Sequence, residues 1–312
     1  MIKEITASIF EKYEVRKSKK QKTAFIEYIQ GVCQQSGIPC TVEKKGISRN
    51  VVMGASPEDS TMLITGHYDT CARMIVPNFI TPKNPFMFIL YQLLITVLLL
   101  VPGLIIGVLV GYLTDMMILA MPIYGIVTLL LCVLMMFGPA NKHTANDNTS
   151  GTIAVLSSML AMTSEQRSRV CFVLFDNEEI GLVGSSAFAS MHKEVKKSTP
   201  VVNLDCVSDG DYLFAKMAKV DKNSPFGIQF KKAMEDAAGK HGMTPVIGTK
   251  GIYPSDQASF KRGIGVACLN RSRLIGLYMN RIHTSRDTVF TQRNIDCLTE
   301  AMVALADTAA AE

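Results

Sequence analysis

The chain has 312 residues, of which 48% are hydrophobic and 19% charged, against about 25% charged in an average globular domain. That balance excludes a disordered or coiled-coil protein, and eight cysteines in so long a chain do not make a small disulfide scaffold. The net charge of +5 suits an anionic membrane surface and requires no nucleic acid.

In chain order, residues 3–36 are expected to form an amphipathic helical stretch, followed by short strands at Thr41–Glu43 and Val51–Met53. Thr61–Asp69 (TMLITGHYD) is an apolar strand that ends in polar residues. The apolar excess then gathers in one place. Between Asn84 and Met136 the only charged residue is Asp115, and Lys83 and Lys142 bracket the tract. The two halves, about 86–113 and 116–137, each meet the roughly 20 apolar residues needed to cross a bilayer. Thr114 and Asp115 mark the tip, so the expectation for 86–137 is a transmembrane helical hairpin. Gly103, Gly107 and Gly111 recur every fourth residue, a spacing that lets a second helix approach closely, and Pro102 and Pro122 are expected to kink their helices.

A hairpin returns the chain to the side it left, so 1–85 and 138–312 are expected to form one interrupted catalytic domain in a single compartment. The lysine-dense N-terminal segment resists translocation and lacks a secretory apolar core, which favours the cytoplasmic face for an integral membrane protein. After the hairpin, helical spacing at Ser150–Met162, around Leu182–Lys193 and at 224–239 and 291–309 alternates with strands at Val170–Asp176, Val201–Cys206, Tyr212–Ala215 and Gly265–Asn270. This alternation implies a three-layer α/β/α fold with a mixed, largely parallel central sheet.

Polar residues collect where such sheets place their sites, at and beyond strand ends. They are His67 and Asp69, Asp147 before a helix, Glu178 and Glu179, Asp205, and His283. Singly most have a structural explanation: His67 a structural strand-end histidine, Asp147 a helix N-cap, Glu178 and Glu179 an exposed loop pair; Asp205 in an apolar strand is harder to dismiss, because a buried carboxylate needs a partner. Together they suggest a metal site. No His-Glu-x-x-His, paired CxxC, GxSxG or P-loop occurs, which removes the helical single-zinc protease, zinc-ribbon, serine hydrolase and NTPase readings. Histidines with several carboxylates fit a two-metal centre, with one of two adjacent glutamates free to act as general base.

The order HxD (His67, Asp69), DNxSG (from Asp147), EExGLxGS (from Glu178), Asp205, SDxxxF (from Ser255) and His283 resembles the co-catalytic zinc aminopeptidases, metallopeptidase family twenty-eight, whose relatives include glutamate carboxypeptidases and glutaminyl cyclases. The resemblance covers about 60–70 and 140–310. It implies a zinc-exopeptidase-like fold and two zinc ions, one held by His67 and Asp205 and the other by Glu179 and His283. Asp147 would bridge the ions, Glu178 would be the acid/base, and Asp69 would orient the His67 ring. Tyr253 and Asp256 are candidate substrate-binding residues, and Arg281 or Arg286 could hold a substrate carboxylate. His143, His192 and His241 are expected at the surface. Gln257 stands where relatives often carry a histidine near the substrate, and the hairpin replaces an ordinary loop. The expected activity is that of a membrane-anchored aminopeptidase acting on peptides. A non-peptide amide hydrolase, a glutaminyl cyclase and a catalytically silent membrane scaffold are the alternatives, and the sequence leaves the oligomeric state open.

Overall fold

The computed structural model describes residues 1–308. Helices α1 (Ile2–Lys12) and α2 (Lys19–Gln35) precede strands β1 (Cys40–Lys45), β2 (Ser48–Gly54) and β3 (Met62–His67). The long apolar helices α3 (Pro85–Leu113) and α4 (Ala120–Phe137) come next, then α5 (Gly151–Ala161), α6 (Ser164–Arg167) and β4 (Val170–Phe175). After α7 (Val183–Met191), α8 (Lys193–Ser198) and β5 (Val201–Leu204) the chain adds β6 (Tyr212–Lys216) and α9 (Pro225–Lys240). It ends with β7 (Thr244–Gly248), β8 (Gly263–Ser272), β9 (Gly276–Tyr278) and α10 (Gln292–Thr308).

The strands form one mixed sheet in the order β1-β2-β4-β3-β5-β8-β6-β7, with β9 on the far end of β8. Its centre, β4-β3-β5-β8, is parallel throughout. Alternate residues of each central strand face opposite layers, as the period of two requires. Met62 and Ile64 of β3, with Phe172 and Leu174 of β4, pack in the core shared with α1, α2, α5, α9 and α10. Leu63, Cys171, Val173 and Phe175 pack with Phe188 and Val195 of α7 and α8 on the other face. Both faces are covered, which is why β3 and β4 are continuous apolar runs.

The expected strands and helices are present with ends shifted by a few residues, and three readings need correction. The stretch 3–36 is two helices: Ser18 caps α2 in a capping box with Gln21, and the chain between them turns Arg16 inward. The helix around 182–193 is likewise two, α7 and α8. β7 and β9 had no counterpart in the sequence pattern; β9 is three residues long and β7 is a partly exposed edge strand.

α3 and α4 form an antiparallel pair that stands off the α/β body. Their apolar windows have mean hydropathy 3.0 and 2.5, yet only 11% and 0% of those windows is buried. A helix of a soluble core would be mostly buried, so these two expose an apolar surface to their surroundings. The buried positions of α3 are Tyr91, Gly103, Gly107 and Gly111. The three glycines form the seam. A Cβ on Gly107 would sit 2.4 Å from the Ala120 carbonyl oxygen, and one on Gly103 would sit 2.7 Å from Thr128 Oγ1. At the tip Asp115 adopts φ 57°, and a short 3₁₀ turn at Met117–Leu119 delays α4 to Ala120. α3 continues through Pro102, and Pro122 falls in the first turn of α4, where its missing N–H costs nothing.

Candidate metal centre

β3 lies between β4 and β5, so three neighbouring parallel strands deliver their carboxyl ends to one place. His67 ends β3, Glu178 and Glu179 follow β4, and Asp205 follows β5. Asp147 arrives from the segment before α5, and His283 from the loop after β9. With Asn78, Ile80, Cys206, Tyr253, Pro254, Met279 and Ile282 these six line a cavity of about 180 Å³.

Asp147 sits between two donor sets. Its Oδ1 lies 3.4 Å from His67 Nε2, which is 3.6 Å from Asp205 Oδ1. Its Oδ2 lies 3.1 Å from His283 Nε2, which is 3.3 Å from Glu179 Oε2. Glu178 offers an oxygen within 4.8 Å of donor atoms of His67 and Asp205. Glu179 Oε1 and Asp205 Oδ1 are buried with no hydrogen-bond partner, a costly state for carboxylate oxygens that a cation beside each relieves.

The DNxSG segment has a local explanation. Asn148 staples Asp147 to the strands: its Nδ2 donates to the Leu204 carbonyl at 3.2 Å, and its Oδ1 accepts from the N–H groups of Gly151 and Cys206. Ser150 Oγ accepts from Val207 N–H. A Cβ on Gly151 would stand 2.2 Å from the Leu204 carbonyl oxygen, so no larger residue fits. The peptide between Asp147 and Asn148 is cis. Asn177, Cys206 and His283 have φ of 58°, 56° and 63°, left-handed conformations that cost about 1–3 kcal/mol each and gather at functional sites.

Asp69 does more than the sequence suggested. The His67 Nδ1 ring nitrogen lies 3.1 Å from the Asp69 carbonyl oxygen and 3.6 Å from its Oδ1. The same carboxylate accepts from the backbone N–H groups of Glu178 and Glu179, at 3.0 and 3.2 Å. It therefore sets the ring and the glutamate loop together.

Several other contributors escaped the sequence reading. Asp287 accepts from the N–H groups of Asn146 and Asp147 at 2.8 and 3.0 Å, fixing the Asp147 backbone from the His283 loop. Arg16, wholly buried, donates to the carbonyl of Tyr68 and to Thr149 Oγ1 behind the site. Cys71 Sγ lies within 4.8 Å of donor atoms of Glu179 and His283, and Cys206 Sγ lies equally near Asp147 and Asp205. Only the aspartate carried a signal, four residues beyond His283 in the polar run His283–Asp287.

The substrate-binding candidates are less simple. Tyr253 lines the cavity, but its hydroxyl donates to the Asp205 carbonyl at 2.9 Å. Asp256 is buried beside Glu178 without lining the cavity, and both its oxygens lack a partner. Gln257 binds the Tyr253 carbonyl and Asn203 away from the cavity, so it lies off the substrate side. Arg281 is held by both oxygens of Asp209 at 2.8 and 2.9 Å, which removes it as a free carboxylate clamp. His192 is not a free surface residue either, since it pairs with Glu43 and Glu58. His241 pairs with Glu300.

The electrostatics describe a crowd of carboxylates awaiting positive charge. Burial raises Glu178 and Glu179 well above the usual carboxylate range, and neighbouring acids add to it. Burial likewise brings Asp256 and Asp287 up to about 7. Burial alone would lower the His67 ring, but Glu178, Asp147, Asp205 and Asp69 outweigh it and raise the ring well above its ordinary value. His283 is raised in the same way, mainly by Asp147. Asp147 runs opposite: despite burial, the two rings hold it below the usual range.

Three layers, a mixed sheet and donors at the carboxyl ends of its central strands define a zinc-exopeptidase-like α/β protein. A profile of peptidase family M28 matches residues 133–306, more than half the chain, and the chain belongs to that family of zinc-dependent peptidases. Solved structures share the fold. The Legionella pneumophila LapA aminopeptidase superposes with TM-score 0.61 at 14% identity, over 100% of this chain and 69% of that one. The Porphyromonas gingivalis glutaminyl cyclase gives 0.57 at 15% identity over 97% of each chain. A leucine aminopeptidase precursor from Bacteroides thetaiotaomicron gives 0.56 at 12% over 96% of each. A search of curated protein sequences returned no match. At such identities the likeness carries the fold and leaves the activity to the site.

Proposed function

We propose that the chain is a membrane-anchored dinuclear zinc aminopeptidase. The observation that carries this reading is the two-sided use of Asp147, one oxygen toward His67 and Asp205 and the other toward His283 and Glu179. Zinc bonds of about 2.0–2.1 Å at tetrahedral angles put neighbouring donor atoms about 3.4 Å apart. The four spacings run from 3.1 to 3.6 Å, and one of the spaced atoms, Asp205 Oδ1, is buried without a hydrogen-bond partner. The residues fit two ions, His67 and Asp205 holding one, Glu179 and His283 the other, with Asp147 shared. When bound, the zinc ions supply Lewis acidity toward a substrate carbonyl and acidify a water.

The protein's own part is proton handling and placement. Glu178 faces the cavity, and burial raises its carboxyl above the usual range, which makes it a stronger base when ionised. It takes a proton from the attacking water and returns it to the departing amine. Asp69 holds the loop that aims Glu178, while Asp287 and Asn148 hold the backbone of Asp147.

The exposed apolar surface of α3 and α4 supports a membrane hairpin as anchor, with residues 86–137 in the bilayer and 1–85 and 138–312 outside it; the cytoplasmic face proposed for the catalytic body rests on the lysine-dense N-terminal segment alone. Release of N-terminal amino acids from peptides or aminoacyl-nitroanilides, abolished by chelation and restored by zinc, tests the activity. Cyclisation of N-terminal glutaminyl peptides without such release would favour the cyclase alternative.

A further inference from the structure

The hairpin is not attached at a distance from the cavity; its leading stem builds part of the cavity's wall, and its trailing stem is bonded to the loop that carries His283. The leading stem, Cys71–Asn84, supplies Asn78 and Ile80 to the lining. It is bonded to the His283 loop by Met74 N–H to the His283 carbonyl at 2.7 Å and Asn78 N–H to the Ile282 carbonyl at 3.2 Å. Ile80 pairs with Met279, another lining residue. Four residues after Ile80, Asn84 caps α3 by accepting from Met87 N–H. Four residues of extended chain span at most about 14 Å, so the foot of α3 stands within that distance of the lining.

The trailing stem closes on the same place. Ala140 pairs with Ala72, Arg73 N–H donates to the Pro139 carbonyl at 2.8 Å, and Asn141 Nδ2 donates to the Thr284 carbonyl at 2.9 Å. Tyr91 in the second turn of α3 donates to the Pro77 carbonyl, and Lys17 donates to the Met136 carbonyl near the end of α4. Both feet are thus bolted to the body. Residues of both stems, Met74, Ile75, Pro77 and Pro139, form an apolar groove flanked by Arg73 and Arg286. Ile75 is wholly exposed. An apolar strip beside arginines suits the boundary between acyl chains and anionic headgroups.

From this placement, and resting on the membrane-anchored peptidase reading, we infer the substrate class: peptides embedded in the bilayer whose free N-terminus rises only a few residues above it. A soluble peptide needs no such placement. A membrane peptide needs a cavity low enough for a short tether, and the stems put it there.

The test uses the full-length chain, zinc-loaded, in vesicles containing phosphatidylglycerol. Substrates share the same N-terminal residues and carry an apolar membrane-spanning helix after tethers of four, eight or twelve residues, about 14, 28 and 42 Å when extended. A soluble peptide of the same N-terminal sequence is run beside them. Vesicle capture concentrates all three anchored substrates alike, so only reach separates them. The four-residue tether is expected to be trimmed within about threefold of the twelve-residue one, because its span meets the cavity. A loss of about tenfold or more at four residues, with the long-tether and soluble peptides still trimmed, would overturn the inference and leave the peptidase reading standing, since a tether that cannot span the gap has almost no effective concentration. Release from none of the four would overturn the peptidase reading and this inference together.

Discussion

In β3 the adjacent residues Leu63 and Ile64 are both fully buried, one under each layer of helices, whereas Leu104 and Ile105 of α3 are 52% and 59% exposed. The same residue types serve opposite solvents. In the body, apolar burial surrounds a costly cluster of carboxylates whose partners come from distant segments. In the hairpin almost nothing is buried except a glycine seam, and nothing else in the described chain covers its apolar surface. On the proposed function the body carries the chemistry and the hairpin the location, and they meet at the two stems.

The largest effect expected in the body follows from Glu178→Gln. It removes the proton carrier and keeps size and position, so turnover should fall by at least about 10²-fold while zinc content stays at the wild-type level. Wild-type turnover would mean another group moves the proton. Asp287→Ala should come next. It leaves every donor of the centre in place but frees the backbone of Asn146 and Asp147, and zinc affinity is expected to weaken about 10–100-fold, measured by competition with a chelating dye. Unchanged affinity would show that Asn148 alone holds Asp147.

For the hairpin, Gly107→Leu should destabilise the α3–α4 pair by about 1–3 kcal/mol, because a Cβ already meets the Ala120 carbonyl oxygen at 2.4 Å. Protease nicking at the 114–116 tip in detergent should accelerate, with the metal centre intact. A loss of zinc from this variant would erase the division between the two regions.

The smallest effect expected is a pH dependence of the metal-free body. Asp256 and Asp287, raised by burial to about 7, keep protons in the folded state that the unfolded chain releases near pH 4. Where the native state binds more protons, stability falls as pH rises, so the apo-protein should lose stability between about pH 4 and 7. The positive charge of bound zinc nearby would favour the ionised form of both carboxyls, so the loaded protein should not share the decline. An apo-protein that gained stability over the same range would contradict the carboxylate crowding described above.

Much of this was legible in the sequence because the decisive features are local. Continuous apolar runs at 62–67, 170–175 and 201–204 mark covered strands, and the polar residues that end them mark the site. The glycine repeat of α3 gave the seam directly. What was not legible depends on contacts across the chain. Asp287 acts on backbone N–H groups some 140 positions away, and Arg16 lies in a lysine-rich stretch that looks solvated yet turns wholly inward. Tyr253 and Arg281 were visible as candidates, but their partners, the Asp205 carbonyl and Asp209, were not. β7 and β9 are short and lie at the margins of the sheet, where burial leaves little pattern.

The central claim is that two zinc ions occupy the donor sets on either side of Asp147 and are needed for release of N-terminal residues. The most direct measurement is metal content by mass spectrometry alongside aminopeptidase turnover, for the wild-type chain and for Asp147→Asn. The wild-type chain is expected to hold two zinc ions and to lose turnover on chelation, and the variant to hold fewer and turn over little. A wild-type chain that binds no zinc, or one that releases N-terminal residues equally well after its metal is stripped, would contradict the account.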